Sequence, residues 1–330
     1  MSKGKKIKVI IAIAAISFIQ GLQYCVSPVL GQIQAHYADV DVSFIQMLIT
    51  APALMSMIVA VLSGWLVIKI SKKKLLIFGS LVAGVTGFLP FLSDSFGLLF
   101  FSRTFYGVGL GLATALNTAV VAEFFEGDER VSVMGIQAAS VGAGMVVVTT
   151  VGGMLGAGGF KNAYMINMIG FISMFLILFC LPDTGKAKVT KTEKIQLNSE
   201  VLKISILGMI EFLFLITFTT NIAMHLSGSL AGNSAVSGNL TGIFSGAQIV
   251  IGLLLGIVTK ITKRYTLPVA MLSFSVGAIL LILFPSNFVL LMLGAVFCGF
   301  SQGVFIPQAM VDVASAVKPV ATAMASACFT

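Results

Sequence analysis

Two charged residues stand inside long apolar runs of this chain: Arg103, in "FFSRTFYGVGLG", and Glu211, in "ILGMIEFLFLITF". Burying either charge in lipid costs several kcal/mol, so each needs a partner, a wet cavity or a task. Glu211 has the chemistry of a proton carrier, because a carboxyl group passes between a charged and a neutral form. Arg103 suits an anionic group or control of a proton site; its alternative is a structural charge held by carbonyls and polar side chains. Polar residues at helical spacing surround both. The first apolar run carries Gln20, Gln23 and Tyr24 on one face, with Pro28 a turn later. On the fourth, Arg103, Thr114 and Asn117 share an arc of about 60° at 100° per residue. Ser301, Gln308 and Asp312 form a similar face on the tenth, and Thr217, Thr220 and Asn221 follow Glu211 on the seventh. Such amides serve cargo contact or bonds between neighbouring helices equally well.

Other chemistry is thinly represented. The two histidines, His36 and His225, fall at the ends of apolar runs. Cys25, Cys180, Cys298 and Cys328 have neither zinc nor disulfide-framework spacing and read as small apolar residues. No glycine-rich phosphate loop is written here. The expectation is a protein that is not an enzyme, with no cofactor and no metal.

The elements that hold these residues follow from composition. Of 330 residues, 58% are hydrophobic and 10% charged, with mean hydropathy +1.05. A soluble domain cannot hide that much apolar surface. A spanning helix needs about 20 apolar residues. Ten runs qualify: 9–30, 44–68, 75–93, 97–122, 132–156, 162–181, 203–225, 239–259, 267–285 and 288–312. They are too long and too evenly apolar for barrel strands, so the class is an all-α membrane protein in a lipid bilayer. Threaded with the amino terminus inside, 18 of the 20 Lys and Arg fall on the cytoplasmic side; Lys161 lies outside and Arg103 within a helix. That bias sets orientation, and it explains the net charge of +8 without a nucleic-acid partner. The basic start followed by an apolar run imitates a signal peptide, but the run continues to Leu30 and reads as an uncleaved first helix.

The chain repeats itself. "VIKISKKKLL" from Val67 returns as "VTKITKRYTL" from Val258, and the pair Gly107 and Gly111 returns as Gly299 and Gly303, 192 residues on. Small residues four apart let helix backbones approach closely. The halves are a six-helix bundle over 1–181 and a second bundle over 203–330, joined by a polar, Lys-rich linker over 182–202.

Several motifs, in order along the chain, resemble those of the major facilitator superfamily of transporters. "GWLVIKISKKKLL" is similar to its loop between helices two and three, with Gly64, Leu66, Lys72 and Lys73; Ile68 stands where an acid is usual and Ser71 where glycine is usual. "RTFYGVGLG" resembles its fourth-helix signature, through Arg103, Gly107 and Gly109, and Glu123 with Arg130 resembles the acid–arginine pair that follows. "GGMLGAGGFKNAYMINMIGF" looks like the passage from helix five to six, with Gly152 and Gly153, but "VTTVGG" has Val148 and Thr149 where proton-coupled exporters carry Gly-Pro.

The resemblance implies two homologous six-helix bundles that bind cargo between them near the midplane. The first, fourth, seventh and tenth helices would line that cavity, and Gly64, Lys72, Lys73, Glu123 and Arg130 would form a cytoplasmic gate. Twelve helices are implied; the second half holds helices seven to ten and the start of an eleventh near Val320, about 45 residues short of the first half's length. The implied function is secondary active transport across the plasma membrane by alternating access, by a monomer with its amino terminus and central loop in the cytoplasm. Proton-coupled export of a small amphipathic compound, with Glu211 as carrier, is the first expectation. Uptake of a small polar or anionic nutrient, with Arg103 as contact, is the alternative, and a sensor or scaffold on the same fold is the reading from another class.

Overall fold

The computed structural model describes residues 3–186 and 199–315, as helices and short connections. Among the described residues, ten helical spans are long and apolar enough to cross a membrane. They are α1 (Lys3–His36), α2 (Val42–Lys69), α3 (Lys72–Leu92), α4 (Phe96–Phe124), α5 (Gly127–Gly156), α6 (Phe160–Cys180), α7 (Ser199–His225), α8 (Ser234–Leu253), α9 (Thr266–Leu283) and α10 (Phe288–Ser315). The proposed start near Val320 lies outside the described residues, as does most of the linker.

Two spans differ clearly from expectation: the first, expected over 9–30, runs from Lys3 to His36. The eighth run was placed at 239–259, whereas α8 begins at Ser234 and ends at Leu253, with a two-turn helix, Leu255–Thr262, after it. Apolarity marks the start late because the first turn is written in serines. Those serines are nonetheless buried: Ser234 Oγ donates to Gly153 O at 3.0 Å and Ser237 Oγ to Pro28 O at 2.5 Å.

Two compact units result. Unit 1 holds Met1–Val189 with Ile222–Met224 and Gly232–Gly242; unit 2 holds Thr190–Asn221, His225–Ala231 and Ile243–Thr330. The expected division at the linker therefore cuts the chain differently, because two short pieces of the second half cluster with the first. The cause is close backbone approach at small residues. A Cβ on Gly153 would meet Gly238 Cα at 2.9 Å, and one on Gly31 would meet Ala223 O at 2.7 Å.

The glycine pairs act alike in both units. In unit 1, Gly107 and Gly111 of α4 face α2, where an added Cβ would stand 2.6 Å from Met55 Cβ and 2.5 Å from Ser56 O. In unit 2, Gly299 and Gly303 of α10 face α8, with distances of 2.8 Å to Ala247 Cβ and 2.5 Å to Gln248 O. Without a hydrophobic driving force between helices in lipid, such close packing is what holds them together. Gly152 is looser, 3.6 Å from Cys25 O, and Gly64 is exposed with open space around it.

Candidate functional site: two buried charges in two units

Arg103 sits in the core of unit 1, fully buried. Its surroundings follow from two prolines. Pro52 has no N–H, so the Leu48 carbonyl one turn earlier in α2 loses its helical donor. Arg103 Nε supplies one at 3.2 Å. Around Pro28, α1 tightens from α-helix into a 3-10 stretch, Leu22–Val29. Within that stretch Arg103 Nη2 donates to Gln23 O at 2.5 Å and Nη1 to Cys25 Sγ at 3.7 Å. Tyr106, one turn along α4, places its ring 5.0 Å from the guanidinium carbon and donates its hydroxyl to Ile19 O. The cation is thus held by backbone oxygens of a broken helix and a kinked one. Three of its donors are turned to two backbone oxygens and the Cys25 sulfur.

The other α1 and α4 candidates divide. Asn117 is buried, its amide donating to Ser17 Oγ at 2.9 Å and Ile13 O at 3.4 Å, which ties α4 to α1. Thr114 is exposed and Gln20 half-buried, with Gln20 Nε2 lacking a partner among the described residues. Gln23 bonds the hydroxyl of buried Tyr24.

Glu211 sits in unit 2, 1% exposed. Its Oε1 accepts from Ser301 Oγ at 2.5 Å and from Gln302 Nε2 at 3.2 Å, and the Gln302 amide also reaches Glu211 O at 3.0 Å. Oε2 is buried and has no partner among the described residues; nor has Gln302 Oε1. No cation neutralises the carboxyl among the described residues, and the two groups that hold it are neutral. Gln302 was not foreseen. Its position beside Ser301 and between Gly299 and Gly303, where α10 lies closest to its neighbour, is the signal that points inward. Of the remaining candidates, Gln308 Nε2 donates to Asp312 Oδ1 at 2.8 Å, and Asn221 Nδ2 to Thr217 O at 2.8 Å.

The expected gate pair of Glu123 with Arg130 is corrected. Glu123 pairs with Lys72 across helices at 2.7 Å. Arg130 instead donates to Ala122 O at 2.6 Å and Phe125 O at 3.0 Å, capping carbonyls left open at the end of α4. Asp183 accepts from Gly185 N at 3.0 Å and from Ser71 Oγ at 3.1 Å; the Gly185 bond first, then Ser71 and the nearby Lys74 and Lys73, hold its carboxyl below the usual carboxylate range. Lys73 thus acts on Asp183 beside the loop. At the opposite end of unit 1, Asp94 bridges Lys161 at 2.9 Å and His36 at 3.0 Å.

Among the described residues, ten helical spans that each could cross a membrane and two buried charges define a polytopic membrane protein. A sequence profile described as Major Facilitator Superfamily matches residues 11–224, and the chain belongs to that family. It is 30% identical over 145 residues to the riboflavin transporter RibZ of Clostridioides difficile (strain 630). That match covers 43% of this chain and 32% of the relative, so it spans about a third of the relative's length. Solved structures share the fold. A bacterial homologue of the human lysosomal transporter Spinster, inward-facing and unoccupied, has TM-score 0.72 at 14% identity, covering 100% of this chain and 79% of that one. A D-xylose–proton symporter has TM-score 0.73 at 14% identity, covering 98% and 86%. The nucleoside transporter NupG has 0.72 at 16%, covering 97% and 86%.

Proposed function

We propose that the chain is a proton-coupled secondary transporter of a small neutral organic solute, importing it by symport through alternating access. The observation that carries this reading is the Glu211 carboxyl, held at one oxygen by Ser301 and Gln302 while the other has no partner among the described residues. Protonation would let it sit dry in one state, and release would accompany opening to water. Three things support a neutral nutrient. Arg103 directs Nε and Nη2 to carbonyls and Nη1 to Cys25 Sγ, which leaves an anionic cargo without its expected contact. Phe214 stacks on Phe274 at 4.8 Å and Phe218 on Phe244 at 4.6 Å, so both rings are engaged in packing between helices rather than lining an open apolar wall. The names among similar proteins include riboflavin, a nucleoside and D-xylose with a proton. In this reading the two halves are homologous bundles, the amino terminus and central loop face the cytoplasm, the membrane is the plasma membrane, and Gly64, Lys72, Lys73 and Glu123 belong to the inner gate.

The test uses proteoliposomes loaded with a pH-sensitive dye. Riboflavin, uridine and D-xylose are added outside in turn. A solute-dependent acidification by wild type that disappears in Glu211→Gln is expected for one of them. Solute entry with undiminished proton movement in the variant would remove Glu211 as the carrier.

A further inference from the structure

We infer that unit 1 carries a binding groove for one acyl chain of an anionic phospholipid, with the headgroup phosphate paired to Lys74. Helices α2 and α3 each pack chiefly on α4 rather than on one another. The α4 glycines explain why. Gly107 and Gly111 draw in α2, while Gly109 draws in α3 from a different side, where an added Cβ would lie 2.8 Å from Ala83 Cβ. The side chains between those contacts, Val108 and Leu112, become the floor of a trough whose walls are α2 and α3. The cavity measures about 560 Å³, and Leu62, Leu66 and Phe78 are among its walls. Leu62 and Phe78 are half exposed, at 50% and 54%, so the trough opens on the surface of the unit.

Lys74 alone among the lining residues is charged. It stands in the first turn of α3, at the end of the span where the basic loop lies. The loop holds Lys69, Lys72, Lys73 and Lys74, against two carboxylates: Glu123, paired to Lys72, and Asp183, on which Lys73 and Lys74 both act. Basic charge therefore exceeds acidic charge at the mouth of an apolar trough. Lys69 lies 3.8 Å over the ring of Trp65, which is 55% exposed next to Leu66, an arrangement suited to the headgroup level of a bilayer. An acyl chain matches the trough and a phosphate matches its mouth; a second protein helix would leave the lysine surplus unmatched.

Trp65 is the chain's one tryptophan and a built-in reporter. The full chain is reconstituted in phosphatidylcholine vesicles containing increasing dibrominated phosphatidylglycerol or, separately, dibrominated phosphatidylcholine, and quenching of Trp65 is read. A preference of about fivefold for the anionic lipid is expected, the scale of one lysine at a membrane surface. Lys74→Gln, an exposed position that leaves folding intact, should bring the ratio toward one. Val108→Phe, which fills the floor, should also lower it with Lys74 in place. A wild-type ratio near one, or an unchanged preference in Lys74→Gln, overturns the site; an unchanged preference in Val108→Phe overturns the acyl-chain groove.

Discussion

Unit 1 and unit 2 solve the same problem, one charge buried in a helical bundle, in opposite ways. Arg103 is held by the backbone oxygens of Leu48 and Gln23 and by the Cys25 sulfur, and Pro52 leaves the Leu48 carbonyl without its helical donor. Glu211 is half-saturated by two side chains, and one of its oxygens faces no partner among the described residues. The first arrangement resists change; the second has room for a proton. The glycine pairs Gly107–Gly111 and Gly299–Gly303 make similarly close helix contacts in the two units, whereas the buried charges are held differently.

The largest effect should come from Arg103→Met. It orphans the buried carbonyls of Gln23 and Leu48, and a loss of about 3 kcal/mol is expected, read as a fall in the thermal midpoint in detergent. A stable variant that fails only in transport would break the comparison. Next, Gly107→Ala and Gly299→Ala should each lose about 1–3 kcal/mol by overpacking, to a similar degree in the two units, whereas Gly64→Ala should be neutral or slightly stabilising. Unequal losses at Gly107 and Gly299 would show that the scaffolds are not equivalent. Glu211→Gln should change stability by less than about 1 kcal/mol, because an amide still accepts from Ser301, while proton coupling is lost. The smallest effect belongs to the surface. Lys72→Gln should cost about 0–1 kcal/mol and less in high salt. Asp94 is held below its ordinary carboxylate range, first by Lys161 and then by His36. Its contribution is present at neutral pH and fades as pH falls through that depressed range, so Asp94→Asn should remove it at pH 7 and flatten the acid limb of a stability profile.

Much of this was legible in the residues. Ten apolar runs became ten spans, and the repeated glycine pair found its repeated contact, because length and small-residue spacing report directly on lipid and on close packing. The partners of the charges were not legible. Arg103 bonds to backbone carbonyls, which every residue type carries, and only Pro52 four residues after Leu48 hints at which carbonyl is open. The Lys72–Glu123 and Ser71–Asp183 contacts join segments distant in sequence, and several acids compete for the same lysines there. Gln302 escaped notice because its face of α10 is set by where Gly299 and Gly303 meet α8, and helical spacing from Ser301 alone does not fix that.

The most direct measurement of the central claim is infrared difference spectroscopy of the reconstituted protein as pH is stepped. A carboxylic-acid carbonyl band that interconverts with carboxylate bands in wild type, and is missing from Glu211→Gln, is the predicted result. Superimposable spectra from the two proteins would contradict it, because Glu211 would then exchange no proton.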